Sequence, residues 1–208
     1  MRLSPHQALR WAWTLLKILF PSLRLPPSVP SLLMLLGTSP HVDVFWLPSP
    51  ACSNIVPRSA WEARKTHCPK MNLPAKYVVI FHTAGRTCIM SDECHLLVQD
   101  IQSFFIDRLN SCDIGYNFLV GQDGVIYEGV GWNVQGSRAP GYNDIALGIA
   151  FMGTFLALEA AQNLIQCAVD KGYLTPNYLL VGHSDIVNTL SPGEALYNII
   201  KTWPHFKH

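Results

Sequence analysis

Asn117-Phe118-Leu119-Val120-Gly121-Gln122-Asp123-Gly124-Val125-Ile126-Tyr127-Glu128-Gly129 is the stretch that decides the fold. Two short apolar runs flank an Asp-Gly pair, whose residues tolerate the positive φ of a tight turn, so a β-hairpin is predicted. Upstream, Lys76-Tyr77-Val78-Val79-Ile80-Phe81-His82 is a β-branched, apolar run that predicts a buried strand ending in a histidine. Between the two, Ser91-Asp92-Glu93 supplies an N-cap and two first-turn acids. Leu97, Ile101, Phe104 or Phe105, and Leu109 follow at helical spacing, which predicts a helix with one face inward. Downstream, Ile145 to Phe151 predicts another buried strand. Leu158, Ala161, Ile165 and Ala168 mark a second helix closed by Gly172. Tyr178 to Val181 predicts a strand ending near His183, and Gly193 to Thr202 a last helix. No internal repeat is present. The expected fold class is α/β, a mixed central β-sheet flanked by helices.

The 208 residues are 49% apolar and only 14% charged, with a formal net charge of +1. Such a balance gives no general attraction to nucleic acid or to an anionic membrane, so any ligand must be held by a local site. Residues 51–208 form the expected domain, preceded by a leader over residues 1–50. Trp11 to Phe20 resembles a signal-peptide core, but Lys17 interrupts it and Pro21 follows at once. An irregular leader and a poor secretion signal both fit. No apolar run reaches the roughly 20 residues that a transmembrane segment needs. Six cysteines (Cys52, Cys68, Cys88, Cys94, Cys112 and Cys167) contain no Cys-x-x-Cys pair. An even set without metal spacing favours disulfides, an oxidising compartment and a secreted, extracellular location. Spacing alone does not choose among the roughly 15 pairings, although Cys88 and Cys94 lie across one short loop.

Two predicted strands end at histidines, His82 and His183. A lone histidine there is usually a polar edge residue, but two in equivalent positions point to a cleft at the strand ends. Tyr116, just before the hairpin, can reach the same cleft. Two imidazoles and a phenol suit a hydrolytic metal site that still lacks a third ligand.

From Ile55 to His208 the chain resembles the peptidoglycan recognition proteins, whose fold is that of the phage-type N-acetylmuramoyl-L-alanine amidases. The residues that carry the resemblance begin with Val56-Pro57-Arg58-Ser59-Ala60-Trp61 and His82-Thr83-Ala84-Gly85. A long central block follows, from Cys112-Asp113-Ile114-Gly115-Tyr116 through Asp123-Gly124 to Tyr127-Glu128-Gly129-Val130-Gly131-Trp132. Gly182-His183-Ser184-Asp185, Ser191-Pro192-Gly193 and Trp203-Pro204-His205 close it. The resemblance implies innate-immune recognition of bacterial peptidoglycan. It also implies disulfides Cys52–Cys167, Cys68–Cys112 and Cys88–Cys94. Catalytic members hold zinc at the positions of His82, His183 and a cysteine, with Tyr116 assisting. Here the cysteine position is Ser191. A serine hydroxyl does not ionise near neutral pH and is harder than sulfur, so it is a poor zinc ligand beside a thiolate. The expected function is therefore binding of muramyl peptides with neither zinc nor another cofactor, and no catalytic residues. A zinc-dependent amidase using His82, Tyr116 and His183 is the alternative.

The cleft positions implied by the resemblance are His82, Thr83, Phe105, Leu109, Asn110, Ser111, Tyr116, Arg138, Pro140 and Asn143. Thr83, Tyr116 and Asn143 can hydrogen-bond peptide amides, and Arg138 can pair with a stem-peptide carboxylate. Phe105 and Leu109 stand where a relative has histidine and arginine, which makes that wall more apolar; both also suit the core of the helix. Asn110-Ser111 matches neither the Gly-Trp pair of diaminopimelate-type binders nor the Asn-Phe pair of lysine-type binders, and sits nearer the second. A homo- or heterodimer is left open. Relatives carry a proline- and alanine-rich loop after Gly153-Thr154-Phe155, whereas this chain runs straight into Leu156-Ala157-Leu158-Glu159. That shortening and the unusual leader support a third reading, a poorly folded variant product.

Overall fold

The structure is a computed structural model that describes Cys52, residues 55–153 and residues 157–207. The leader over residues 1–50 and the shortened junction at Phe155–Leu156 lie outside the described residues. The elements in chain order are β1 (Ile55–Val56), β2 (Ala75–His82), α1 (Ser91–Ser103), β3 (Phe118–Gly121) and β4 (Ile126–Glu128). They continue with β5 (Ala146–Met152), α2 (Leu158–Asp170), β6 (Leu174–Gly182) and α3 (Glu194–Ile200). The strands form one sheet in the order β1-β4-β3-β5-β2-β6. Only the β3–β4 hairpin is antiparallel; the other four pairings are parallel, so the sheet is mixed as expected.

Alternation along the strands divides the core. Val78, Ile80, Leu147, Ile149 and Leu180 face α2 and α3, meeting Ala161, Leu164, Ile165, Leu196 and Ile200. Val79, Phe81, Ala150 and Val181 face the other way, toward Leu97 and Val98 of α1 and toward Trp61. This is the period-2 pattern of a sheet covered on both faces. Three disulfides join Cys52 to Cys167, Cys68 to Cys112 and Cys88 to Cys94, the pairs that the family resemblance implies.

Several boundaries differ from the sequence expectation. Ser91 is not the N-cap of α1: Met90 is extended there, and its carbonyl accepts the Cys94 N–H at 3.0 Å, so Ser91 is already helical. The last helix is shorter than Gly193 to Thr202 because Gly193 has φ 88°, outside helical geometry. Strand β6 starts at Leu174 rather than Tyr178. It carries Pro176 on the sheet edge, where a missing N–H is tolerated, beside a register irregularity opposite Ala75–Tyr77. The two residues of β1 pair with β4 and had no periodic signal to announce them.

The end of α1 matters most for the site. The helix passes into one π-helical turn, Phe104–Arg108, and stops at Asn110 with φ 51°. Phe104 and Phe105 carbonyls accept the N–H groups of Leu109 at 3.2 Å and Ser111 at 3.0 Å. The extra residue in this turn shifts the helical phase. Phe105 is buried, while Phe104 and Leu109 are 52% and 45% exposed, so Leu109 is not a core position.

Candidate functional site

Parallel pairing sets the floor of a cleft. In the register of β2 with β6, Ile80 lies opposite Gly182, which brings His82 and His183 to the same strand ends. The His82 backbone N–H donates to Ser191 Oγ at 3.1 Å, so the third position of the expected triad sits against the first. His183 is buried, and its ring packs on Phe81 at 4.5 Å between centroids. Its Nε2 lies 2.9 Å from the Arg138 carbonyl. A carbonyl only accepts, so Nε2 carries the proton and Nδ1 holds the lone pair. That Nδ1 is buried without a hydrogen-bond partner. Burial, above all, holds the His183 pKa below its ordinary 6.5, opposed by the bond to the Arg138 carbonyl and reinforced by Arg138 and His82 charge. The ring is therefore neutral at neutral pH.

The wall rises from the floor through touching rings. Phe81 packs on Tyr116 at 5.3 Å, Tyr116 on Phe105 at 5.4 Å, and Phe105 on Phe104 at 6.1 Å. The Arg138 guanidinium stands 5.7 Å over the Phe105 ring. Tyr116 and Phe105 are both buried, so they shape the wall from behind, while Phe104 and Leu109 beside them are exposed apolar residues. Burial pushes the Tyr116 phenol up, against a smaller downward pull from Arg138, and it stays protonated as a hydrogen-bond donor. Gly115 is required here: a Cβ on it would collide with the Phe105 ring and the Arg138 side chain. Tyr116 is fixed in turn by the buried amide of Asn117. That amide donates to the carbonyls of Gly131 at 2.8 Å and Val134 at 2.9 Å, and accepts from Gly148 N–H at 2.9 Å.

The other expected contacts are distributed around this core. Thr83 follows β2, half-buried, with its N–H on the Phe151 carbonyl. Asn110 is exposed and Ser111 half-buried, at the turn that ends the π-helical segment. Pro140 is exposed. Asn143 Oδ1 accepts the Ala139 N–H at 2.8 Å, so this oxygen closes its own turn instead of facing a ligand. Arg138 is half-buried, and its Nε is buried without a partner. No sequence expectation covered a recess of ≈ 350 Å³ lined by His82 itself together with Gly85, Thr87, Gly153, Pro192 and Gly193. Pro192 and Gly193 of the Ser191-Pro192-Gly193 motif are the sequence signal for it.

A zinc ion, which the amidase resemblance implies, needs three protein ligands and an open position for water. The buried lone pair of His183 has the character of a ligand. Ser191 does not, being a neutral hydroxyl that already accepts a backbone N–H. Among the described residues no group of three His, Cys, Asp or Glu side chains is placed to hold a metal ion. The donor set does not fit a zinc hydrolase.

A mixed sheet with paired strand-end histidines beside a tyrosine is the arrangement to set against known families. The model of the N-acetylmuramoyl-L-alanine amidase family matches residues 71–194. The chain is 77% identical over 165 residues to human peptidoglycan recognition protein 4, covering 76% of this chain and 44% of that protein. It is 69% identical over 169 residues to human peptidoglycan recognition protein 3, covering 78% of this chain and 50% of that one. Mouse peptidoglycan recognition protein 1 is 44% identical over 166 residues, which cover 76% of this chain and 91% of that one. Among solved structures, human PGRP-IBETAC in complex with glycosamyl muramyl pentapeptide superposes with a TM-score of 0.74 at 77% identity, over 76% of this chain and 100% of that chain. Drosophila PGRP-LB superposes with a TM-score of 0.72 at 39% identity, over 74% and 96%. The chain belongs to the peptidoglycan recognition protein family. It spans about half the length of the first two relatives.

Proposed function

We propose that this domain binds muramyl peptides of bacterial peptidoglycan in the cleft between the Phe104–Tyr116 wall and the His82–His183 floor, and does not hydrolyse them. One observation carries the reading: at the strand ends that bring His82 and His183 together, Ser191 Oγ stands in the third ligand position and accepts the His82 N–H. His183 and Tyr116, both buried, then shape the base and wall of the site and perform no chemistry. Arg138 is half-buried, and its guanidinium is the charge that a stem-peptide carboxylate would meet. A structural relative at 77% identity is described in complex with a glycosamyl muramyl pentapeptide, which supports the ligand class.

Three disulfides support a secreted location, since such bonds persist in oxidising compartments. Among the described residues no helix is long and apolar enough to cross a membrane. A relative at 44% identity is described as an ectodomain complex of two recognition proteins with tracheal cytotoxin bound, which supports a homo- or heterodimer as the assembled form. The binding reading is tested by sedimenting the disulfide-intact protein with insoluble bacterial wall. Retention that lysine-type muramyl pentapeptide competes away is the expected result. A protein left wholly in the supernatant, with its thermal transition intact, contradicts it.

A further inference from the structure

Behind the ligand-facing wall lies a buried carboxylate that the cleft itself does not use. Asp113 is 4% exposed and sits between Ser111 and Tyr116 in the chain. Its oxygens accept from four donors, three of them drawn from separate parts of the fold. Arg58 Nη2, from the segment after β1, lies at 2.7 Å, and Gln102 Nε2, from α1, also at 2.7 Å. Thr66 Oγ1 donates from the connection to β2, and Ile114 N–H at 2.6 Å from the wall segment itself. Arg58 extends the cluster by donating to the Gly129 carbonyl beyond β4 and, at 2.9 Å, to the Arg64 carbonyl. Gln102 is buried too, and its Oε1 accepts the Arg64 N–H at 2.9 Å.

A charge taken out of water is tolerated only when its lone pairs are filled and a counter-charge is near, and Asp113 has both. The arrangement is costly to break and fixed in direction, because Arg58, Thr66 and Gln102 reach Asp113 from three different segments of the fold. The segment it holds carries Asn110, Ser111 and Tyr116, whose placement decides what the cleft can contact. A binding constellation loses much of its worth when its support shifts by about 0.5 Å. We infer that Asp113 is a positioning residue for the Asn110–Tyr116 wall and acts on ligand affinity without touching the ligand. The inference rests on the binding function proposed above.

The test compares Asp113→Asn with the parent, both disulfide-intact and below their melting transitions, using muramyl pentapeptide and calorimetry. Affinity is expected to fall about tenfold, the scale of one hydrogen bond to a charged group. Ser111→Ala is expected to cost less in the D113N background than in the parent, whereas Thr83→Ala, across the cleft, costs the same in both. Affinity within about twofold of the parent, or equal costs for both partners, overturns the inference. Amide hydrogen exchange without ligand supplies a readout independent of function: Ser111–Tyr116 amides exchange faster in D113N while β5 amides do not change. Unchanged protection of that segment overturns the inference even where the parent itself fails to bind, an outcome that sinks the binding reading separately. Should D113N not fold, Gln102→Met removes one donor and leaves the ion pair, with the same readouts expected at smaller size.

Discussion

At the strand ends, the His82 backbone N–H meets a serine hydroxyl, and the buried His183 Nδ1 has no hydrogen-bond partner. At the wall, from Phe104 to Tyr116, a π-helical turn, a left-handed asparagine, a disulfide and a four-donor carboxylate hold every backbone step. The two regions touch through Phe81 and Tyr116, yet only one of them is complete for its chemistry. On the binding function proposed above, a site that keeps the support of its recognition surface and has a serine in place of a metal donor is organised for holding a ligand. The difference between wall and floor is thus the physical content of the functional reading, and perturbing each in turn breaks or sharpens it.

The largest effect is expected from the wall's covalent brace. Removing Cys68–Cys112 by paired serine substitutions opens a loop of 44 residues and should lower unfolding free energy by about 2–5 kcal/mol in denaturant titrations. Removing Cys88–Cys94, with a separation of 6, should cost less, because short loops lose less entropy on closure. Equal losses would show that the wall is not specially dependent on its brace. Next in size, Arg138→Ala should weaken muramyl pentapeptide binding by about 1–3 kcal/mol, since a charge-assisted contact and the stacking on Phe105 go together. Calorimetry that finds no change would place the carboxylate-binding end elsewhere. At Asn110 the left-handed backbone is the constraint. Valine there should cost about 1–2 kcal/mol in thermal unfolding while glycine is nearly neutral. A neutral valine variant would mean that the turn is free to relax.

The smallest effect belongs to the floor. The folded-state pKa of His183 lies below its ordinary 6.5, mainly through burial, so the unfolded chain binds more protons as the pH falls. This histidine's contribution to stability is full above about pH 6.5 and is lost as the pH drops toward the folded-state value. Melting temperature should decline modestly from neutral pH into the acid range, with a shallower slope in His183→Gln. An identical slope in both proteins would assign the acid sensitivity to other groups.

Much of this was legible in the sequence, for identifiable reasons. The Asp123-Gly124 turn and the apolar run to His82 carry strong local signals, so the hairpin and β2 lie where expected. Strand β1 was invisible because two residues paired in parallel across 71 positions leave no local pattern. The 3.6-residue period failed between Phe104 and Leu109, since a π turn adds a residue that periodicity does not register. His82, His183 and Tyr116 could be proposed from strand ends and the hairpin, whereas the significance of Ser191 came from the family pattern. Asp113 gave no signal of its own: a single acid in Cys-Asp-Ile-Gly is indistinguishable from a turn residue until its donors are placed around it.

The central statement concerns what leaves the cleft after a ligand enters it. Muramyl pentapeptide recovered from the disulfide-intact protein after long incubation with saturating zinc, and weighed by mass spectrometry, should be bound yet wholly intact. Zinc-dependent release of free stem peptide, absent from a His183→Ala control, would contradict the account.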